Sequence, residues 1–152
     1  RLTAAAIVAT AGFAFSAQAG ECPAGASKPN ARQPVNLPGS GVTDTTLGAI
    51  DLGKEMAKIK GRELRFRKMV IQPGGVVPWH SHDDRPALIF VQQGEIIEYA
   101  SNCAAPIAHK AGDVAREAKG TSHWWRNDGK TTVELISVDI LPPQMKKDEK
   151  MM

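Results

Sequence analysis

Cysteine and histidine are scarce in this sequence, whose 152 residues include two cysteines and four histidines. Two cysteines cannot build a disulfide-dense scaffold or a zinc site with four thiolate ligands. Aromatic residues are also few, at 5%, and no dense stripe of lysine and arginine with interleaved aromatics accompanies the formal net charge of +3. This weak basicity therefore does not indicate a nucleic-acid partner.

Motifs of several common enzyme classes are absent as well. The sequence contains no P-loop, no dinucleotide-binding glycine motif and no Ser/His/Asp nucleophile arrangement. After residue 19, no hydrophobic segment approaches a membrane span of roughly 20 residues, so no membrane partner is expected. The chain length fits one domain with or without appendages, and the apolar fraction of 42% is adequate for a core.

Residues 1–19 have the pattern of an export signal. Arg1 precedes an uncharged apolar run, and Ala17-Gln18-Ala19 is a small-x-small cleavage signal, so cleavage would fall before Gly20. The basic n-region is expected to be truncated, because no Met precedes Arg1. A membrane anchor is the alternative, although the run is short for a span and rich in alanine. The pattern predicts a periplasmic or secreted protein.

Export changes how the two cysteines are interpreted. Cys22 and Cys103 both follow the cleavage signal and would be in an oxidising compartment, where a disulfide could join the N-terminal arm to a loop. Two unpaired cysteines remain the alternative, because the sequence does not show whether their Cα atoms lie within about 7 Å.

The remaining chain shows short strand patterns separated by turns. Residues 20–61 are rich in proline and glycine at their start and are expected to be an arm or linker, with at most one helical turn near residues 51–60. Strand patterns follow between residues 62 and 141, interrupted by Pro73-Gly74-Gly75, and Asp128-Gly129 resembles a hairpin turn. Residues 142–152 are expected to be a charged tail. Without a long amphipathic helix, this pattern predicts an all-β sandwich or barrel.

Three of the four histidines occur in two blocks that begin with glycine. His80 and His82 alternate along a strand, so their side chains project to one face and can bind one ion. The second block begins at Gly112 and contains His123, which strand pairing could bring to the first two. His80, His82 and His123 are therefore the candidate metal ligands.

These blocks closely resemble the two signature motifs of the cupin superfamily. The first reads GGVVPWHSHDDRPALIFVQQG and the second reads GDVAREAKGTSHWWRN. The resemblance covers residues 62–141 and implies a double-stranded β-helix, or jelly-roll barrel, with a metal site inside. Ala118 replaces the usual proline of the second motif. Ala87 replaces the usual metal-binding glutamate of the first, and we do not expect the nearby Asp83 or Asp84 to take its place.

Three imidazoles without a carboxylate leave a divalent transition metal with its full charge and with open positions, which favours an anionic or chelating ligand. Iron, zinc, nickel, copper and manganese are not distinguished by this ligand set. The set is similar to the three-histidine iron sites of some cupin dioxygenases. A degenerate site that binds an organic ligand without metal is the alternative.

Strand alternation also suggests which side chains surround the metal. Ile89 and Val91 share the face of Ala87 and should form an apolar wall, and Trp125 shares the face of His123. Arg85 could meet an anionic substrate. Arg65 and Arg67 are weaker candidates, since strand arginines usually face solvent, and His109 is expected at the surface.

The leading hypothesis is an exported, metal-dependent small-molecule oxidoreductase similar to a dioxygenase. A periplasmic binding or sensor protein without turnover is the first alternative. A cupin isomerase is the second, and it would need a base such as Asp84 or Glu98 beside the metal. The resemblance to cupins, whose barrels often pair through their sheets, implies a homodimer.

Overall fold

The computed structural model describes residues 20–142, which form eight β-strands and no helix within that range. Residues 1–19, with the expected export signal, and all of the expected tail except Pro142 lie outside the described residues. The strands are β1 (Ser40–Asp51), β2 (Glu63–Ser81), β3 (Ala87–Gln93), β4 (Glu95–Ala100), β5 (Ile107–Lys110), β6 (Val114–Glu117), β7 (Ser122–Arg126) and β8 (Val133–Leu141).

All the strand pairs are antiparallel, and the strands follow the order β5-β4-β7-β2-β8-β3-β6, with β1 added to β2. The sheet curls into a nearly closed barrel, which confirms the predicted all-β class. Alternation along β2 shows how the barrel is filled: Arg65, Arg67, Met69 and Ile71 are buried, whereas Phe66 between them is 43% exposed. The inward side chains of the central strands form one apolar core that includes Val91, Ile96 and Leu135.

The N-terminal segment departs from the expected arm, because it contributes the 12-residue strand β1. This strand pairs with β2 from Ser40 opposite Val76 to Asp51 opposite Glu63. Its sequence alternates small and polar residues with few large apolar ones, so the alternation did not indicate a buried face. The pairing partner is supplied by tertiary structure rather than by local propensity.

The Pro73-Gly74-Gly75 segment bends a strand instead of ending one. β2 runs through it, with Gly74 at φ +75°, and pairs with β8 before the bend and with β7 after it. A side chain at position 75 would place its Cβ 2.8 Å from the carbonyl oxygen of Gln72, so only glycine fits the bend.

Asp128-Gly129 does not close a hairpin, because β7 and β8 pair with successive halves of β2 rather than with each other. The Asn127 side chain holds this connection as expected of a turn residue. Its amide nitrogen donates to the carbonyl oxygens of Ile71 (3.0 Å) and Thr131 (2.8 Å), and its oxygen accepts from the Gly129 backbone (3.0 Å).

Residues 20–32 are tied to the loop between β4 and β5. A disulfide joins Cys22 to Cys103, with a Cα–Cα distance of 5.8 Å, and Ser27 makes an isolated bridge to Cys103. The Lys28 backbone N–H also donates to Asn102, over 3.0 Å. A structural disulfide is typical of proteins outside the cytoplasm. Within residues 20–142, no helix has the length and hydropathy that a membrane crossing requires.

Candidate metal centre

Strand pairing brings the three motif histidines together. His80 near the end of β2 is the direct partner of His123 on β7, and His82 is the first residue after β2. The register of the β2–β7 pair shifts between Val77 and His80. Such bulges are common next to functional sites, where they change the direction of side chains. His82 and His123 are buried, and His80 is partly exposed.

The three imidazoles converge through the same ring atom. The Nε2 atom of His82 lies 3.0 Å from the Nε2 atoms of His80 and of His123, and the latter two are 3.1 Å apart. Ligand nitrogens that lie about 2.1 Å from one ion at right angles to each other are about 3.0 Å apart, so this triangle fits one transition-metal ion.

The opposite ring nitrogens show where the protons are. Nδ1 of His80 lies 2.8 Å from the Pro78 carbonyl oxygen, and Nδ1 of His82 lies 2.7 Å from that of Arg85. A carbonyl can only accept, so both Nδ1 atoms carry the proton and both Nε2 atoms present a lone pair to the centre. Such outward hydrogen bonds orient metal-binding histidines in proteins.

His123 is held by a carboxylate. Its Nδ1 lies 2.7 Å from Oε1 of Glu98. The Trp125 indole nitrogen is also 3.0 Å from this Nδ1, but a carboxylate needs a donor, so we assign the proton to Nδ1 and its hydrogen bond to Glu98. His123 therefore also directs Nε2 towards the other two imidazoles.

Burial keeps two of these histidines neutral. Burial is the main cause and the nearby His123 the second. Together they lower the pKa of His82 to about 4 and that of His80 well below its usual value. At neutral pH, neither imidazole has to release a proton to bind a metal ion.

Glu98 also bridges to the fourth histidine, which is not at the surface as expected. His109 is fully buried, places Nε2 2.7 Å from Oε2 of Glu98 and stacks on the Trp125 ring at 4.6 Å. Burial alone would raise the pKa of Glu98, but the hydrogen bonds from His109 and His123 lower it to about 2. Glu98 is thus a buried carboxylate with both oxygens engaged.

A second buried carboxyl, Glu117 on β6, is in the opposite state. Its Oε2 lies 3.4 Å from Nδ1 of His123. Burial is the main cause and the negative charge of Glu98 the second, and together they raise the pKa of Glu117 to about 9. Glu117 is therefore protonated at neutral pH. Glu98, Glu117 and His123 also form a group of ligand atoms within 4.8 Å, but this group shares His123 with the triad.

Glu117→Gln should stabilise the protein at neutral pH. Between pH 4.5 and about 9, the folded state keeps a proton that the unfolded state has already released, so stability falls as pH rises through this window. Glutamine does not titrate, so the advantage of the variant should grow with pH and reach about 1 to 3 kcal/mol at pH 7. Urea unfolding at several pH values measures this difference, and Glu21→Gln, at an exposed carboxyl, is the control. A variant less stable than the wild type at pH 7 would show that Glu117 is ionised.

The strand arginines are buried rather than solvated, which corrects the expectation for Arg65 and Arg67. Arg65 donates two hydrogen bonds to Asp139 (3.0 and 2.9 Å), Arg67 donates one to the same carboxylate (3.1 Å), and Arg85 lies 3.5 Å from it. Arg67 also pairs with Asp44. Burial would raise the pKa of Asp139, but hydrogen bonds from Arg65 and the nearby guanidinium charges lower it. Asp139 and Asp44 thus partner the guanidinium groups of this cluster.

A cavity of about 20 Å³ joins the histidine triad to the arginine cluster. Arg67, Arg85 and Ser137 contribute its polar lining beside the three histidines. Ile89 and Trp125 line it as expected, whereas Val91 is fully buried in the core and does not line it. The volume is sufficient for one ion or water, with little space to spare.

Among residues 20–142, no side chain near Ala87 takes the place of the missing glutamate. Asp83 is exposed and accepts a hydrogen bond from the Gly120 backbone over 2.7 Å, and exposed Asp84 pairs with Arg62. Ala87 is part of the apolar core. Glu98, although buried, does not line the triad cavity, so the structure does not place a base there.

Glu117 and Asp139 were not predicted to belong to the site, and Glu98 was named only as a base that an isomerase would need. Strand alternation carries the signal that could have found them: Glu98 lies between buried Ile96 and Ala100, and Asp139 lies between buried Ser137 and Leu141. An acidic residue on the inward face of a strand needs a buried partner.

A barrel of eight antiparallel strands with three converging imidazoles defines a jelly-roll protein with a candidate metal site. A sequence model of the Cupin domain matches residues 67–139. The chain is 34% identical over 90 residues to the Oxalate-binding protein of Thermotoga maritima, which covers 59% of this chain and 71% of that protein. The chain belongs to the cupin superfamily.

Two further relatives agree with this assignment. The chain is 29% identical over 107 residues to Germin-like protein 5-1 of Oryza sativa subsp. japonica, covering 66% of this chain and 48% of that protein. It therefore spans about half the length of that relative. The cupin domain of Schizosaccharomyces pombe Cnp3 superposes with a TM-score of 0.53 at 18% identity, covering 78% of this chain and 77% of that domain. This likeness supports the fold alone.

Proposed function

We propose that this protein is an exported cupin that binds a divalent transition metal through His80, His82 and His123 and acts on a small anionic ligand as a dioxygenase-like oxidoreductase. The observation that carries the proposal is the Nε2 triangle with sides of 3.0–3.1 Å, in which each opposite nitrogen donates outwards. Lone pairs that face one another at this distance repel, and a cation between them relieves the repulsion.

The side chains around the triad favour a negatively charged ligand. Arg67 and Arg85 line the same cavity as the three imidazoles, so two guanidinium groups lie beside the triad. Guanidinium groups match the geometry of carboxylates, so a small carboxylate could contact the metal and an arginine together. The name of the Thermotoga maritima relative, an oxalate-binding protein, agrees with this ligand class.

The cavity limits the size of the ligand. Its volume of about 20 Å³ is small, and apolar side chains such as Met69, Ile89 and Leu135 close it, so a ligand that binds beside the metal has to displace some of them. These residues exclude water and leave access past the partly exposed His80. A bound metal would supply Lewis-acid and redox chemistry, and the chain itself would orient the ligand and balance its charge.

Oxygen consumption tests the enzymatic part of the proposal. Untagged protein is loaded with iron(II) without oxygen and then mixed with oxygen and oxalate, a β-diketone, a thiol or a hydroxylated aromatic acid. We expect oxygen uptake with at least one of these compounds, and none from a His80→Ala/His82→Ala variant. No uptake with any compound would contradict an oxidoreductase of this kind.

Ligand binding without turnover is the second candidate. Two observations favour it: the cavity has little space for a second reactant, and no carboxyl group of the described part of the chain lines it. Calorimetric titration of the metal-loaded protein with oxalate, followed by recovery of unchanged oxalate, would support this alternative.

We also propose a homodimer formed through the outer face of the sheet that contains β2, β8, β3 and β6. On this face, Phe66 and Leu88 flank Val138, and Phe90 pairs with Val114. Leu88 is 53% exposed, and a groove of about 300 Å³ runs along the same strands. We assign a second copy of this chain to this face, because a two-fold interface joins the same surface of both subunits and the second copy presents an equally apolar sheet.

Leu88→Lys should convert this dimer to a monomer, because each copy would bury an ammonium group in an apolar interface without a partner. Sedimentation or light scattering measures the mass. Met56→Lys, at an exposed apolar residue of the loop between β1 and β2, should leave the dimer intact. A monomeric wild-type protein at micromolar concentration would contradict the proposed interface.

A further inference from the structure

A second cavity lies between the N-terminal arm and strands β4 to β6. Its volume is about 380 Å³, and none of the residues that line it lines the triad cavity. Gly20 and Glu21 of the arm form one wall, and the buried Glu98 and Glu117 lie at another. The disulfide at Cys22, two residues after Gly20, holds the arm in this position.

Gly20 occupies a site rich in hydrogen-bond acceptors. Its backbone nitrogen donates to the Ala108 carbonyl oxygen over 3.2 Å. A Cβ atom at this residue would be 3.2 Å from Nδ1 of His109 and 3.8 Å from Cγ of Asp113. The φ angle of +90° and these contacts favour glycine at this position. A peptide N–H offers one donor here, whereas a terminal ammonium group would offer three.

One of these acceptors lacks a partner. His109 is fully buried, and its Nδ1 has no hydrogen-bond partner among the described residues. Its Nε2 faces the Glu98 carboxylate, which requires a donor, so in the neutral ring Nδ1 presents a lone pair. A buried acceptor without a donor is costly and calls for a group that the described chain does not supply.

We propose that an export peptidase hydrolyses the Ala19–Gly20 bond and that the new α-ammonium group of Gly20 binds in this acceptor site, beside His109 and Asp113. Water supplies the oxygen of the new Ala19 carboxylate, and the amine released from the peptide bond takes up a proton. The cleavage signal Ala17-Gln18-Ala19 ends at this bond.

The bound ammonium group would act on the metal centre through two hydrogen bonds. It donates to Nδ1 of His109, which keeps the proton of that ring on Nε2, facing Glu98. Glu98 in turn orients His123. Gly20 is therefore a positioning residue of the mature protein. The inference rests on export, but it does not require that the triad binds metal.

The position of cleavage is tested first. The precursor is exported in a bacterial host, and the mass and N-terminal sequence of the mature protein are determined. We expect Gly20 as the first residue. Cleavage at another bond would overturn the inference, whatever metal the protein contains.

Binding of the ammonium group at this site is tested by comparing two proteins with the disulfide formed, one that begins at Gly20 and one that keeps Ala19 before it. We expect the first to melt at least about 3 °C higher. Its α-amine should also acylate at least tenfold more slowly than that of a peptide of residues 20–30, because a rise of about one unit in amine pKa lowers the free base tenfold. Equal melting temperatures, or an amine as reactive as the peptide's, would overturn the inference.

The two proposals fail in distinguishable ways, because neither readout depends on a bound metal. A protein that begins at Gly20, melts higher than its extended form and binds no metal would support the proposed binding of the amine and contradict the proposed metal centre. A protein that binds metal but melts at the same temperature as its extended form would contradict only the binding of the amine.

Discussion

His82→Ala should abolish metal binding by the purified protein. Nε2 of His82 lies 3.0 Å from the Nε2 atoms of both other histidines, so its removal leaves two imidazoles and no carboxylate to hold an ion. We expect affinity for a divalent transition metal to fall by more than about 100-fold, because loss of a hydrogen-bond partner of a metal ligand alone costs about 10- to 100-fold. Metal analysis of untagged protein, and titration of the metal-free protein, measure the loss.

Asp84→Asn is the matched control for this variant. Asp84 is two residues from His82 but is exposed and paired with Arg62, so its replacement should leave the metal content unchanged. The same holds for Asp83→Asn, since that carboxylate accepts a hydrogen bond from the Gly120 backbone. Equal metal in His82→Ala and the wild type would refute the three-histidine site, and loss of metal in either aspartate variant would identify a fourth ligand.

The all-β class and the triad could both be predicted because both depend on local spacing, whereas the jelly-roll barrel was implied by the resemblance to cupins. Alternation places His80 and His82 on one face, and two glycine-led blocks place His123 on a strand that can pair with the first. The disulfide was one of two alternatives, because cysteine spacing does not determine a distance in space.

The polar interior could not be predicted in this way. An isolated strand arginine is more favourable in water, and Arg65 and Arg67 are buried only because Asp139 on β8 and Asp44 on β1 meet them there. His109 is similar, since its burial depends on Glu98 across the β4–β5 pair. Such partners lie about 10 to 75 positions away in the chain, and only the strand register brings them together.

Glu98→Gln should weaken metal binding by about 10- to 100-fold although Glu98 touches no metal. The ionised carboxylate accepts from Nδ1 of His123 and from Nε2 of His109, and an amide has one oxygen for two such donors. One histidine would then face an amide N–H, and His123 would lose both its fixed tautomer and its negatively charged partner. The variant should also unfold at lower urea concentration, because a buried hydrogen-bonded charge is lost.

Glu117→Gln separates this effect from a general disturbance of the interior. Both glutamates are buried beside His123, at 2.7 and 3.4 Å from its Nδ1, but Glu98 is ionised and Glu117 carries a proton. An amide closely mimics a neutral carboxyl group and does not mimic a carboxylate. We therefore expect opposite signs in stability at pH 7 and a loss of metal affinity in the Glu98 variant alone. If the two substitutions weaken metal binding equally, the charge of Glu98 is not what orients His123.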